Sequence, residues 1–182
     1  MGLALDLRVR THKQWVMAAL KQAAPPNTRC CDFPGAGRMV PGEGPAHTRV
    51  MIIGQNPGAE EEKQGRPFVG PSGRFLNAIL KRNNIDREKV YITNVIKCKT
   101  PENRKPTKKE IEACLPELTA EIAKIKPAVI VLMGKVAWQT PRLEGIRYIE
   151  TYHPAAAARF TRFRPKFEDD IARINTELNR LK

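Results

Sequence analysis

The chain has 182 residues, 41% of them hydrophobic, with 32 Lys and Arg against 19 Asp and Glu and a formal net charge of +13. That length fits one domain, and that charge is the footprint of a polyanion binder. No apolar run of about 18 residues or more is present to span a membrane, and the opening MGLALDLRVRTHK lacks the basic start and long apolar core of a signal peptide, so an intracellular monomer with no membrane contact is expected.

In chain order, residues 12–23 have helical periodicity, with Trp15, Val16, Ala19 and Leu20 on one side. Residues 24–48 are rich in Pro and Gly and read as a tethered loop. Residues 49–54 form an apolar strand, and Ser72 is placed to cap a helix over 73–83. A second strand covers 90–93. Thr107 and Glu110 make a capping-box pattern that opens a helix to about residue 124, and Lys126-Pro127 stops it. Residues 128–133 are a continuous buried strand, Gly134 starts a short helical turn, and 147–151 are a fourth strand. Residues 165–181 close the chain as an amphipathic helix, with Phe167, Ile171, Ile174 and Leu178 on one face. Strand–helix alternation with fully apolar strands predicts a parallel α/β sheet covered on both faces, a three-layer α/β/α arrangement.

Sites in such sheets lie outside the carboxyl ends of the strands. GQNPG follows the first strand, TNVIKCK the second, MGKVAW the third and YHPAAAAR the fourth. Gln55, Asn56, Asn94 and His153 therefore converge on one crevice. The segment GQNPGAEEEKQGRPFVG, Gly54 to Gly70, is a polar loop stiffened by Pro57 and Pro67 and opened by its glycines. The cysteines are Cys30, Cys31, Cys98 and Cys114. Structural disulfides are rare in a reducing compartment, and four is the ligand count of an iron–sulfur cluster or a zinc site.

Three blocks go beyond short motifs: GQNPGAEEEKQGRPFVGPSGRFLN, YITNVIKCKTPENRKPTKKEIEACLPELTAEIAKIKPAVIVLMG and YHPAAAAR. Over roughly residues 28–175 the chain resembles family 4 of the uracil-DNA glycosylases, the iron–sulfur members of archaea and bacteria. The resemblance implies a central, mostly parallel four-stranded sheet, uracil-containing DNA as partner, and an activity that flips uracil from DNA and hydrolyses its N-glycosidic bond.

It also implies roles. His153, in the family's HP motif, donates an N–H to a uracil carbonyl as negative charge develops on the departing base. Asn94 reads uracil, since one carboxamide offers both a donor and an acceptor. Phe68 stacks on the flipped base. Relatives usually read G-E-[AG]-P-G where this chain reads Gly54-Gln55-Asn56-Pro57-Gly58. Gln55 resembles the glutamine of the GQDPY motif of the common uracil-DNA glycosylases, a substrate contact. Asn56-Pro57-Gly58 is similar to the GINPG motif of mismatch-directed glycosylases, whose asparagine positions water. Asn56 can orient water through its carbonyl oxygen but cannot deprotonate it. Glu61 is the rival, because the family's matching glutamate is implicated in catalysis. Glu60 and Glu62 read as a solvated loop face.

Cys98 and Cys114 are separated by 15 residues, as in the family's second ligand pair. The first pair is C-x-x-C in relatives but adjacent here. Neighbouring side chains of an extended chain point apart, so Cys30 and Cys31 need a bend to share one site. The resemblance implies a four-cysteine [4Fe–4S] cluster that pins the 24–48 loop to the helix near Thr107, with zinc and a cluster-free form as alternatives. After His153, PAAAARFTRFRPK is small, apolar and then basic. Arg159 is the candidate for the minor groove, with Arg162 and Arg164 on phosphates, and KCKTPENRKPTKK adds a second basic surface. The competing functions are a glycosylase for thymine or damaged bases opposite guanine, and a binding protein that no longer cleaves. A form that attaches covalently to DNA needs a basic insertion after GRPFVGPSG, which this sequence lacks.

Overall fold

The computed structural model describes residues 30–181. The helix expected at 12–23 lies outside them, as does the start of the 24–48 loop. Four strands form one sheet: β1 (Val50–Gly54), β2 (Tyr91–Asn94), β3 (Val129–Met133) and β4 (Arg147–Thr151). Their order is β2-β1-β3-β4 and every pairing is parallel. All four strands lie within one residue of their expected bounds. Val90 falls out of β2 because it closes the 3₁₀ turn Arg87–Lys89.

Five α-helices surround the sheet among the described residues: α1 (Ala59–Gln64), α2 (Pro71–Arg82), α3 (Lys108–Ile125), α4 (Pro154–Arg159) and α5 (Arg164–Arg180). Strand side chains alternate between faces. Val50 and Ile52 join the core under α2 and α5, with Leu76, Phe167, Ile171 and Ile174. Met51 and Ile53 join the opposite core under α3, with Leu118, Ile122 and Ile125. Two cores on one sheet make the three layers. None of the described helices is long and apolar enough to cross a membrane.

The α3 cap is as expected: Thr107 Oγ1 accepts from Glu110 N–H at 3.3 Å, and Glu110 Oε2 accepts from Thr107 N–H at 2.7 Å. The α2 cap is not. Gly70 is the N-cap and Pro71 takes the first helical position, where its missing N–H costs nothing, so Ser72 is the second residue of the helix and not its cap. Helices α1 and α4 were not expected at all. The first is a charged run and the second a string of alanines, and neither has an apolar period.

Candidate active site

The site is assembled at the carboxyl ends of the strands. Gly54 ends β1, and its lack of a side chain is required there. A Cβ would lie 2.5 Å from Asn94 Oδ1 and would overlap the tip of the Phe68 ring. The next residues face each other through their amides. Gln55 Nε2 donates to Asn56 Oδ1 at 2.9 Å, and Asn56 Nδ2 donates to the Pro57 carbonyl at 2.9 Å and reaches Thr100 Oγ1 at 3.5 Å. These bonds fix the Asn56 carboxamide while leaving Oδ1 a second lone pair.

Glu61 lies on α1, buried. Its Oε2 accepts from Gly58 N–H at 3.1 Å and its Oε1 from Gly70 N–H at 2.7 Å, so one carboxylate joins both ends of the loop. Glu60 is exposed. Glu62 departs from the reading of a solvated face. It accepts from Arg38 N–H at 2.9 Å and pairs with Lys99 at 3.5 Å, because the chain from Cys30 folds back alongside it. Phe68 is held in the left-handed region, φ 54°, and is 4% exposed. A side chain at Gly73 would collide with the Phe68 backbone, so this glycine lets α2 approach the loop. The Phe68 ring lies 6.1 Å from the His153 ring, tilted by 34°.

Asn94 ends β2 at 2% exposure, and its Oδ1 is buried without a hydrogen-bond partner. A buried acceptor left unpaired is costly, and native structures rarely keep one without a reason. His153 N-caps α4: its Nδ1 accepts from Ala155 N–H at 3.2 Å. The proton of the neutral ring is therefore on Nε2. Burial pushes the His153 pKa down to about 4, opposed by the charge of Glu61, so the ring is neutral at pH 7.

Gln55, Asn56, Glu61, Phe68, Asn94 and His153 all line one cavity of about 470 Å³. That is large enough for a nucleobase and its sugar. Asn103 lines it too, and the sequence reading missed it. It follows Glu102 in two consecutive left-handed residues, φ 53° and 57°, on the loop between Cys98 and Cys114. Nothing in PEN announces that geometry.

Beyond α4 the surface is aromatic and basic. Phe160 is 42% exposed. The Arg159 guanidinium lies 5.3 Å from its ring centroid and that of Arg162 5.7 Å, while Arg162 also covers Phe163 at 4.7 Å. Arg164 turns instead onto Phe75, at 5.5 Å.

All four cysteine sulfurs come together in the core beneath α3. They are joined in pairs, Cys30 with Cys114 and Cys31 with Cys98, and the sulfurs of Cys30 and Cys31 are 3.9 Å apart. The bend that adjacent cysteines require is present: Cys31 is left-handed, φ 81°. No group of three or more His, Cys, Asp or Glu is arranged as metal ligands among the described residues.

The Uracil DNA glycosylase superfamily model matches residues 41–179, which contain every cavity-lining residue named above. The chain belongs to that superfamily. Within it, the chain is 41% identical to a Type-4 uracil-DNA glycosylase of Pyrobaculum aerophilum, over 73% of this chain and 80% of the relative. It is 35% identical to a Type-4 uracil-DNA glycosylase of Archaeoglobus fulgidus, over 74% and 79% of the two chains. A Type-4 uracil-DNA glycosylase of Thermotoga maritima is 50% identical over 54% of this chain and 52% of its own. The chain is thus a type-4 member of the superfamily, and its parallel sheet with helices on both faces agrees with that assignment.

Proposed function

We propose that the protein is a DNA repair enzyme that takes uracil out of the DNA stack and hydrolyses its bond to the sugar, leaving an abasic site. The observation that carries this reading is the unpaired Oδ1 of Asn94, a residue that lines the cavity. Uracil N3–H is the donor it lacks, and the Asn94 amide N–H can donate to O4. Cytosine has no proton at N3, so it leaves the acceptor empty. The base stacks against Phe68. As the glycosidic bond lengthens, its electron pair moves onto the base, and His153 Nε2–H donates to a uracil carbonyl where that charge collects. Water held by Asn56 Oδ1 adds to the cationic sugar carbon, and the proton it sheds neutralises the departed uracil anion. Glu61 keeps the loop in place and sets its negative charge near His153. Arg159 and Arg162 engage the DNA backbone and groove without regard to sequence.

Single-turnover assays on uracil in single strands, U·A and U·G pairs, and on T·G, are expected to give excision from the uracil substrates and little from T·G. Efficient cleavage of T·G at the expense of U·A would make this a mismatch glycosylase. No cleavage of any substrate, with DNA binding intact, would make it a binding protein.

Once reduced, the four cysteines supply the four thiolates that a [4Fe–4S] cluster takes, and their sulfurs meet at one place. Held by Cys30, Cys31, Cys98 and Cys114, such a cluster would cross-link the chain around Cys30 to α3 and the Cys98 segment, and no step of the reaction is routed through it. Anaerobically purified protein is expected to be yellow-brown. Cys114→Ser is expected to lose iron and colour and to melt several degrees lower, since about 1 kcal/mol shifts a domain of this size by roughly 2–4 °C. Colourless native protein carrying zinc would assign the site to zinc. Colourless, metal-free protein of full stability in reductant would remove the metal altogether.

A further inference from the structure

We propose that Lys97 is a positioning residue for base recognition: its ammonium holds the backbone of Asn94, and with it the carboxamide of this cavity-lining residue. The inference rests on the uracil-excision reading above.

β2 is an edge strand. On its inner side the ladder continues past the strand, with Val95 N–H on the Gly54 carbonyl and Ile96 N–H on the Gln55 carbonyl, each at 3.0 Å. On its outer side Ile92 is satisfied by Glu43, at 2.8 and 2.9 Å. Two residues further on, the Asn94 carbonyl points the same way and meets no strand. Lys97 Nζ fills the gap. It donates to Asn94 O at 2.8 Å, Thr93 Oγ1 at 2.7 Å and Glu121 Oε2 at 2.6 Å, and three bonds use all three of its protons. The Lys97 side chain is fully buried, and its backbone carbonyl is tied to Val40 N–H at 2.6 Å.

A buried ammonium is an expensive way to fill this space. Apolar side chains of the same volume often replace buried ion pairs without loss of stability. What distinguishes the cation is what it donates to. Among the described residues no hydrogen bond is recorded to the Asn94 side chain, and its Oδ1 has no partner. With no side-chain hydrogen bond, the carboxamide is placed by its packing beside Gly54 and Phe68 and by its backbone, whose carbonyl Lys97 holds. Burial pushes the Lys97 pKa down, while Glu121 opposes the shift.

Three variants test this: Lys97→Met, the double Lys97→Met/Glu121→Gln, and Glu121→Gln alone. Each is assayed below its own melting temperature by single-turnover excision and by affinity for free uracil. The double variant removes the buried charge together with its partner. It is expected to melt close to the native protein, yet to excise uracil at least tenfold more slowly and bind free uracil more weakly. Glu121→Gln keeps the Lys97–Asn94 bond and is expected to excise within about twofold of native, whatever it loses in stability. A folded double variant with native excision and uracil affinity overturns the proposal. So does a Glu121→Gln variant as impaired as Lys97→Met, because activity then follows stability and not the bond to Asn94. A native protein that binds free uracil but excises none refutes the functional reading alone, and the uracil affinities of the variants still decide the role of Lys97.

Discussion

Replacing His153 with alanine is expected to slow single-turnover release of uracil by about 10²–10³-fold, the usual cost of removing one donor from a developing oxyanion. The geometry makes the effect specific. The ring accepts Ala155 N–H at Nδ1, so its only proton points away from the cap, from Nε2. With the pKa lowered to about 4, the native enzyme is expected to keep a flat rate from pH 8 to near pH 5 and to lose activity as the ring protonates near pH 4. Protonation at Nδ1 turns the cap's acceptor into a donor and breaks its bond to Ala155. The same shift has a sign for stability. The unfolded chain takes up this proton near 6.5 and the folded one only near 4, so the His153 contribution falls as pH drops through that window and levels off below it. DNA affinity of the variant is expected to stay near native, because phosphate contacts dominate it. Near-native cleavage by His153→Ala would give the leaving-group role to another residue.

Asn56→Ala is expected to slow the chemical step by about 10²-fold, the scale of losing placement of a reacting group. Asn56→Asp keeps the shape and an acceptor, and adds a charge that favours the cationic sugar, so it is expected to retain much of the activity. Glu61→Gln gives a different pattern. The carboxylate serves two backbone N–H groups, and a carboxamide has one acceptor oxygen, so either Gly58 or Gly70 is left facing an amide donor. That is expected to cost about 1–3 kcal/mol of stability, with excision surviving in the folded fraction. Melting curves and single-turnover rates on the same preparations separate the two. A folded Glu61→Gln without chemistry, beside an active Asn56→Ala, would transfer the water to Glu61.

The sheet was legible because β1 and β3 are uninterrupted apolar runs, which permit little besides a buried strand, and β2 and β4 followed from β-rich residues between turns. The convergence of Asn56, Asn94 and His153 followed from position alone, since each stands at or just past a strand end. The bend at Cys31 was legible from two adjacent cysteines, but the left-handed Phe68 was not, because nothing local favours positive φ at a phenylalanine. The close approach of Gly73 to its backbone accompanies it. Glu62 was misread for a related reason: an acidic run says nothing of the distant Arg38 N–H and Lys99 that it meets. Lys97, in IKCK, looked like one more surface cation, and only the missing neighbour beyond β2 explains its burial.

The two bonds that Glu61 makes to Gly58 and Gly70 close residues 58–70 into a ring, stapled across its neck by a single carboxylate. A ring of that kind has little slack. The wall that carries Phe68 is then a finished mould before any nucleic acid arrives, and the moving part of the encounter is the DNA. Discrimination is then expected to fall on bases that leave the helix easily, with a uracil in a single strand or a weak pair taken sooner than one in a firm pair.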